Sequence, residues 1–143
     1  CAAGTGSFLD QQAARLGQAL AVMGWRPEVV VHSQALRTTQ TWDRMAGPLG
    51  GTPQVGSSWD LYHDGPAAYL QAAANHGGAA GTLMLVGHNP VVAELVELLS
   101  ARRVRFGTAH AALLQARLDG PWESWAVSLS VPLRFELVRV LSG

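Results

Sequence analysis

The sequence predicts a three-layer α/β/α domain with a mostly parallel central sheet, and three observations carry that prediction. Val29-Val30-Val31 and Leu83-Met84-Leu85-Val86 are apolar runs too short for helices and read as buried strands. Each runs straight into a helix-opening pattern: Ser33 as a natural cap after the first, Gly87-His88-Asn89-Pro90 after the second, with Asn as cap and Pro at the first helical position. Between the strands, apolar residues recur at helical spacing, and strands alternating with amphipathic helices call for helices on both faces of a sheet.

In chain order, Cys1 to Ser7 is small and polar with two glycines and is expected to be irregular. Asp10 can cap a helix running to about Met23, with Ala13, Leu16, Leu20 and Val22 or Met23 inward and Gly24 as its stop. After the Val29 strand, Gln34 to Met45 reads as a second helix, which Gly47, Pro48, Gly50, Gly51 and Pro53 break into a loop. Gln54-Val55 suggests a short strand, Trp59 to Asp64 an irregular segment, and Pro66 opens a helix to about Asn75. Gly77, Gly78 and Gly81 lead into the Leu83 strand, and Val92, Leu95, Val96 and Leu99 mark the buried face of the helix beyond it. Ala111 to Leu118 and Trp125 to Leu129 look like strands joined by Asp119-Gly120-Pro121, with a final strand at Phe135 to Leu141. No repeat or linker divides residues 1–143, so a single domain is expected.

Composition excludes more than it assigns. Net charge is zero, which leaves no electrostatic case for nucleic acid or an anionic membrane surface. No apolar run approaches the length of a bilayer span, and no signal-peptide pattern opens the chain. A lone cysteine, Cys1, offers no internal disulfide. All ten basic residues are arginine and isoleucine is absent, the signature of a GC-rich genome. The compartment is left open between a cytoplasm and an organelle reached through a removed targeting segment. The five histidines lack metal-ligand spacing, so neither a metal nor an organic cofactor is expected.

Two segments carry candidate chemistry: His32-Ser33-Gln34-Ala35-Leu36-Arg37-Thr38-Thr39-Gln40-Thr41 and Val86-Gly87-His88-Asn89-Pro90. Each places a phosphate ligand, Arg37 or His88, at the carboxyl edge of the sheet, where α/β folds hold ligands. Arginine presents a planar fork matched to phosphate oxygens, and histidine can donate a hydrogen bond or a proton to the same group.

Together these segments resemble the SixA-type phosphohistidine phosphatases of the histidine phosphatase (phosphoglycerate-mutase-like) superfamily. The shared pattern is a strand ending in Ser33, a helix with Arg37 and Gln40-Thr41, the middle segment Leu61-Tyr62-His63, and Val86-Gly87-His88-Asn89-Pro90. Phe106-Gly107-Thr108 and Ser124-Trp125 come next, in the family's order. The resemblance implies phosphoryl transfer through a phosphohistidine, with Arg37, His88 and Asn89 around the phosphate. Ser33, His63, Thr108 and His110 would form the pocket rim. It also implies an opening strand ending in Arg-His-Gly, whose histidine is the nucleophile, and this sequence contains no Arg-His pair. The residues alone therefore leave open whether the domain is an enzyme. A degenerate relative kept as a binding or structural subunit is one reading, with a phosphate-bearing ligand and a protein partner or larger assembly. The other is an active phosphatase whose nucleophile strand lies outside these residues. The absent strand is expected between the strands of Ser33 and His88, its slot filled by upstream residues, by Phe135 to Leu141 or by a partner's strand.

Overall fold

The computed structural model describes residues 3–106, 110–116, 120–123 and 135–142, with side chains from Gln11 onward except that of His63. Helix α1 (Ala3–Val22) leads to β1 (Val29–Ser33), α2 (Leu36–Leu49), β2 (Gln54–Ser58), the short α3 (Asp60–His63) and α4 (Pro66–His76). The chain continues through β3 (Leu83–Val86), α5 (Val91–Ser100), β4 (His110–Gln115) and β5 (Glu136–Ser142). The expected strand at Trp125 to Leu129, its turn at Asp119 and the Ser124-Trp125 pair lie wholly or partly outside the described residues.

The strands form a parallel sheet in the order β2-β1-β3 and a separate antiparallel pair, β4-β5. Side chains alternate across β1, and the two faces acquire different partners. Val30 packs with Leu16, Leu20, Trp42, Met45 and Leu49 of α1 and α2. Val29 and Val31 turn to Leu61, Tyr69, Leu70, Leu95 and Leu99 of α3, α4 and α5. Strand β4 sits in the same layer, because Leu113 joins the first cluster and Leu114 the second. The fold is α/β with helices on both faces.

Several expectations shift at the ends of elements. The supposedly irregular start is helical from Ala3, so Asp10 lies inside α1 instead of capping it. Once Ala13, Leu16 and Leu20 pin the helix, each added residue gains a backbone bond without a new nucleus. Of Val22 and Met23, Met23 is the residue against the core, while Val22 is exposed. Helix α2 continues through Gly47 and Pro48 to Leu49, which is fully buried and whose carbonyl accepts from Arg26 Nε at 2.9 Å. The gain from burying Leu49 outweighs the one bond that Pro48 deletes in the last turn. Trp59 to Asp64, expected to be irregular, contains α3.

The largest correction concerns the sheet. Strand β1 pairs directly with β3, Val30 opposite Met84 and Val31 opposite Leu85, so no slot exists between the strands of Ser33 and His88. Nor does the last strand fill one, since β5 pairs antiparallel with β4. The break lies on the other edge of β3. Between β3 and β4 runs a cavity of about 1730 Å³ in the plane of the sheet, walled by Leu16 and Met45 on one face and by Leu70 and Leu95 on the other. This explains why all four β3 residues are only half-buried where the sequence predicted full burial. Among the described residues they are backed by a hydrogen-bonded neighbour on one side and by the cavity on the other.

Candidate functional site

The parallel register brings the carboxyl ends of β1 and β3 side by side, His32 opposite Val86, so that the segments leaving the two strands meet at one edge. After β1, a buried serine and threonine shape the turn. Ser33 and Thr38 are both buried; Thr38 Oγ1 donates to the carbonyls of Ser33 at 2.8 Å and Ala35 at 2.9 Å. Ser33 was expected to cap the helix, but the cap position is Ala35, with no side-chain cap bond. The reason is that Ser33 Oγ lies 2.9 Å from His88 Nε2 while accepting weakly from Ala35 N–H at 3.3 Å. Its hydroxyl joins the two segments that sequence reasoning singled out. Arg37 then falls in the first turn of α2, exposed, lining the same cavity as His88.

After β3, a buried tyrosine fixes the chain. His88 N–H donates to Tyr69 Oη at 3.0 Å, and that hydroxyl donates to the Leu61 carbonyl at 3.2 Å. Tyr69 is fully buried on α4, and burial raises its pKa, an effect opposed by the bond from His88. It is thus a neutral hydroxyl that donates and accepts at once. Gly87 is required by this close approach, because a Cβ there would run into Tyr69 Oη and lie 2.5 Å from Cε2 and Cζ of its ring.

The His88 imidazole is held below its usual pKa, first by burial and second by the positive charge of Arg37. It is therefore chiefly neutral at pH 7. Burial and a nearby cation disfavour a second positive charge, and the attraction of an anion bound beside the two residues would offset that cost. Asn89, expected to cap the next helix, does not do so: the cap is Pro90, and Asn89 Nδ2 donates to the Phe106 carbonyl at 3.0 Å. Phe106 in turn leans on His110 of β4, ring centroids 6.2 Å apart.

The structure thus gathers Ser33, Arg37 and His88 at one edge and links Asn89 to His110 through Phe106. His63 closes α3, its side chain being outside the described ones, and Thr108 lies outside the described residues altogether. Among the described residues no group of three His, Cys, Asp or Glu side chains could hold a metal ion. Sequence reasoning missed Tyr69 and the aromatic pair Trp59 and Tyr62. A single tyrosine among the alanines of α4 was the available signal for the first. Tyr62 was read only as part of Leu61-Tyr62-His63, whereas its ring stands edge-on to His88 at 5.2 Å and stacks on Trp59 at 5.5 Å.

Comparison with known proteins adds the fold's relatives. No family model matches the chain. An uncharacterized chloroplastic protein of Arabidopsis thaliana is 30% identical over 137 residues, which cover 86% of this chain and 60% of the relative. The chain therefore spans about three fifths of the length of the curated relative it matches. Among solved structures, a protein described as the phosphohistidine phosphatase SixA of Nakamurella multipartitia superposes with a TM-score of 0.76 at 25% identity, over 92% of this chain and 80% of that one. Its counterpart from Agrobacterium tumefaciens gives 0.70 at 21% identity, over 94% and 80%. A protein histidine phosphatase SixA complexed with tungstate gives 0.69 at 21% identity, over 93% and 80%.

Proposed function

The chain carries a SixA-like histidine phosphatase fold, and from that premise we propose that Ser33, Arg37 and His88 form the anion-holding part of a phosphoryl-transfer site. The observation that carries this reading is their convergence at the carboxyl edge of two paired parallel strands, with Ser33 Oγ on His88 Nε2 and the charge of Arg37 felt by the imidazole. Arg37 supplies two parallel donors to equatorial oxygens. His88 donates a hydrogen bond from one ring nitrogen and, once an anion offsets Arg37, takes up a proton. Asn89 and His110 line the rim. The bound tungstate of one SixA structure supports an oxyanion as the ligand class. The covalent route of the family needs a histidine to attack phosphorus. On this reading, these 143 residues bind a phosphate-bearing group without turning it over, acting as a binding or structural subunit within a larger assembly.

A second reading has its own support, the gap beside β3. A strand laid parallel to β3 there would hydrogen-bond to β3 on one side and β4 on the other, and its last residue would arrive beside His88 and Arg37. Such a strand, from residues upstream of α1 or from a partner, could deliver a nucleophile and make the assembly an active phosphohistidine or phosphoester phosphatase. The chloroplastic relative supports the organellar compartment for this chain over the cytoplasmic one.

Two measurements separate the readings. Calorimetry with tungstate and phosphate should show binding that weakens by about tenfold or more in Arg37→Ala and in His88→Ala, as loss of one charge-assisted bond implies. Absence of that loss sinks the anion site. Hydrolysis of phosphohistidine by residues 1–143 should not exceed that of the Arg37→Ala, His88→Ala double variant. Turnover above that control, with label trapped on a histidine, would instead favour a nucleophile already within these residues.

A further inference from the structure

The far end of α5 carries a local excess of positive charge that the anion site does not use. Leu95, Val96 and Leu99 are buried and hold the helix to the sheet, while Glu94, Glu97 and Leu98 stand on its outer side. Leu98 is 56% exposed, a large aliphatic side chain left in water. Ala101, left-handed at φ 58°, ends the helix with its N–H on the Glu97 carbonyl at 2.8 Å. The chain then runs to Phe106, whose carbonyl accepts from Asn89 Nδ2 at 3.0 Å, so both ends of the intervening segment are tied down. Within it Arg102, Arg103 and Arg105 are exposed and Val104 is half-buried. Arg103 Nε meets Glu97 Oε1 at 3.2 Å, which keeps the segment beside the last turn of α5 and places Leu98, Arg102 and Arg105 on one stretch of surface. Among the described residues Arg102 and Arg105 make no ion pair. A helix dipole favours cations at its carboxyl end, which accounts for Arg102 and Arg103 but not for Arg105, beyond the last turn.

We propose that Leu98, Arg102 and Arg105 form a docking surface for a short acidic segment of a partner protein that also carries an apolar side chain. The partner's carboxylates meet the two arginines, and its apolar residue covers Leu98. Charge complementarity sets the sign of the partner. The whole chain is neutral, so the attraction belongs to this strip and not to net charge. The extent of the strip sets the class. It gives way to Glu97 and Glu94 along α5, so a continuous phosphate backbone such as a nucleic acid would run from the cations on to anions. A short segment with a few carboxylates does not. Leu98 likewise offers nothing to a phosphate backbone, whereas an apolar residue beside arginines suits a protein interface, where arginine is enriched. The inference needs no phosphate and stands apart from the anion site.

The test uses residues 1–143, isotope-labelled for NMR, titrated with a synthetic peptide that has acidic residues on either side of one leucine. Amide shifts should concentrate between Leu98 and Phe106. Arg102→Glu, Arg105→Glu should weaken binding by about 5-fold or more, since each exposed ion pair is worth a modest factor and reversal turns attraction into repulsion. Leu98→Ala should weaken it by about 2- to 5-fold through lost apolar area. The charge-reversed variant should in turn bind the same peptide with lysine in place of each acid more tightly than the unaltered protein does, which also shows that the variant is folded. Arg15→Glu, Arg139→Glu, whose side chains lie together on the α1 side of the sheet, should leave affinity for the acidic peptide within about twofold, because distant exposed charges are screened. Shifts spread over the whole surface, or an affinity unmoved by reversal at Arg102 and Arg105, overturn the docking surface. Tighter binding of an oligothymidylate of equal charge would assign the strip to nucleic acid and overturn the acidic-protein partner. Dimerisation of the unaltered protein that the same reversal removes would assign it to a second copy of this chain and overturn that partner as well.

Discussion

Replacing Gly87 by alanine should be among the most damaging small substitutions in this protein. The backbone at Gly87 is not among the positive-φ glycines, so the effect is not one of forbidden dihedrals. It is steric: the new Cβ collides with the Tyr69 hydroxyl and ring, and Tyr69 is fully buried with no room to retreat. Overpacking of this kind costs about 1–3 kcal/mol. If the ring is displaced, the bonds from His88 N–H and to the Leu61 carbonyl are lost as well, adding about 1–3 kcal/mol. A total of about 2–6 kcal/mol is a large share of the roughly 5–15 kcal/mol by which domains are stable. In urea, with a slope of about 2 kcal/mol per molar, the midpoint should fall by about 1–3 M. The same substitution in a Tyr69→Leu background, where the hydroxyl and most of the ring are gone, should cost less than about 1 kcal/mol, and that coupling isolates the contact. If Gly87→Ala shifts stability by less than about 0.5 kcal/mol, or costs the same in both backgrounds, the contact between Tyr69 and the segment leading to His88 is not as described.

Four further outcomes are expected. Arg37→Ala should raise the His88 pKa toward the ordinary histidine value without reaching it, since burial is the larger cause and remains; an NMR titration showing no rise would refute the coupling. Because His88 is held neutral by the fold, the native state binds fewer protons than the unfolded one. Its contribution to stability is therefore complete above about 6.5 and is lost as pH falls from there through the depressed folded value; a denaturation series in which His88→Ala leaves the pH slope across that window unaltered would contradict it. Ser33→Ala should destabilise by about 0.5–1.5 kcal/mol through loss of the contact with His88, measurable by thermal unfolding. Amides on the cavity side of β3 should exchange with solvent faster than those of β1, which pairs on both edges, and equal protection would mean that the gap beside β3 is closed.

Much of the architecture was legible in the residues alone, because it rests on local patterns. Val29-Val30-Val31 and Leu83-Met84-Leu85-Val86 are short, apolar and followed by helix-opening residues, and both became parallel strands of one sheet. The spacing of Val92, Leu95, Val96 and Leu99 marked the inward face of α5, and Gly24 marked the end of α1. The choice of Ser33, Arg37 and His88 as candidates came from residue chemistry and from motif order, and the strand register then brought them to one edge. What the residues could not reveal depended on partners distant in the chain. Pro48 and Gly47 looked like helix breakers until the burial of Leu49 outweighed them. Ser33 and Asn89 carried cap signals, yet their side chains went to His88 and Phe106, because a polar atom bonds whatever the fold brings near it. Tyr69 showed locally only as a lone tyrosine among the alanines of α4; its role exists because α4 passes under the turn at Gly87. The neighbour of each strand was likewise beyond local pattern, since edge hydrogen bonds carry no side-chain code. Pairing of β1 with β3, and the break between β3 and β4, were decided by how the two helical layers close over the sheet.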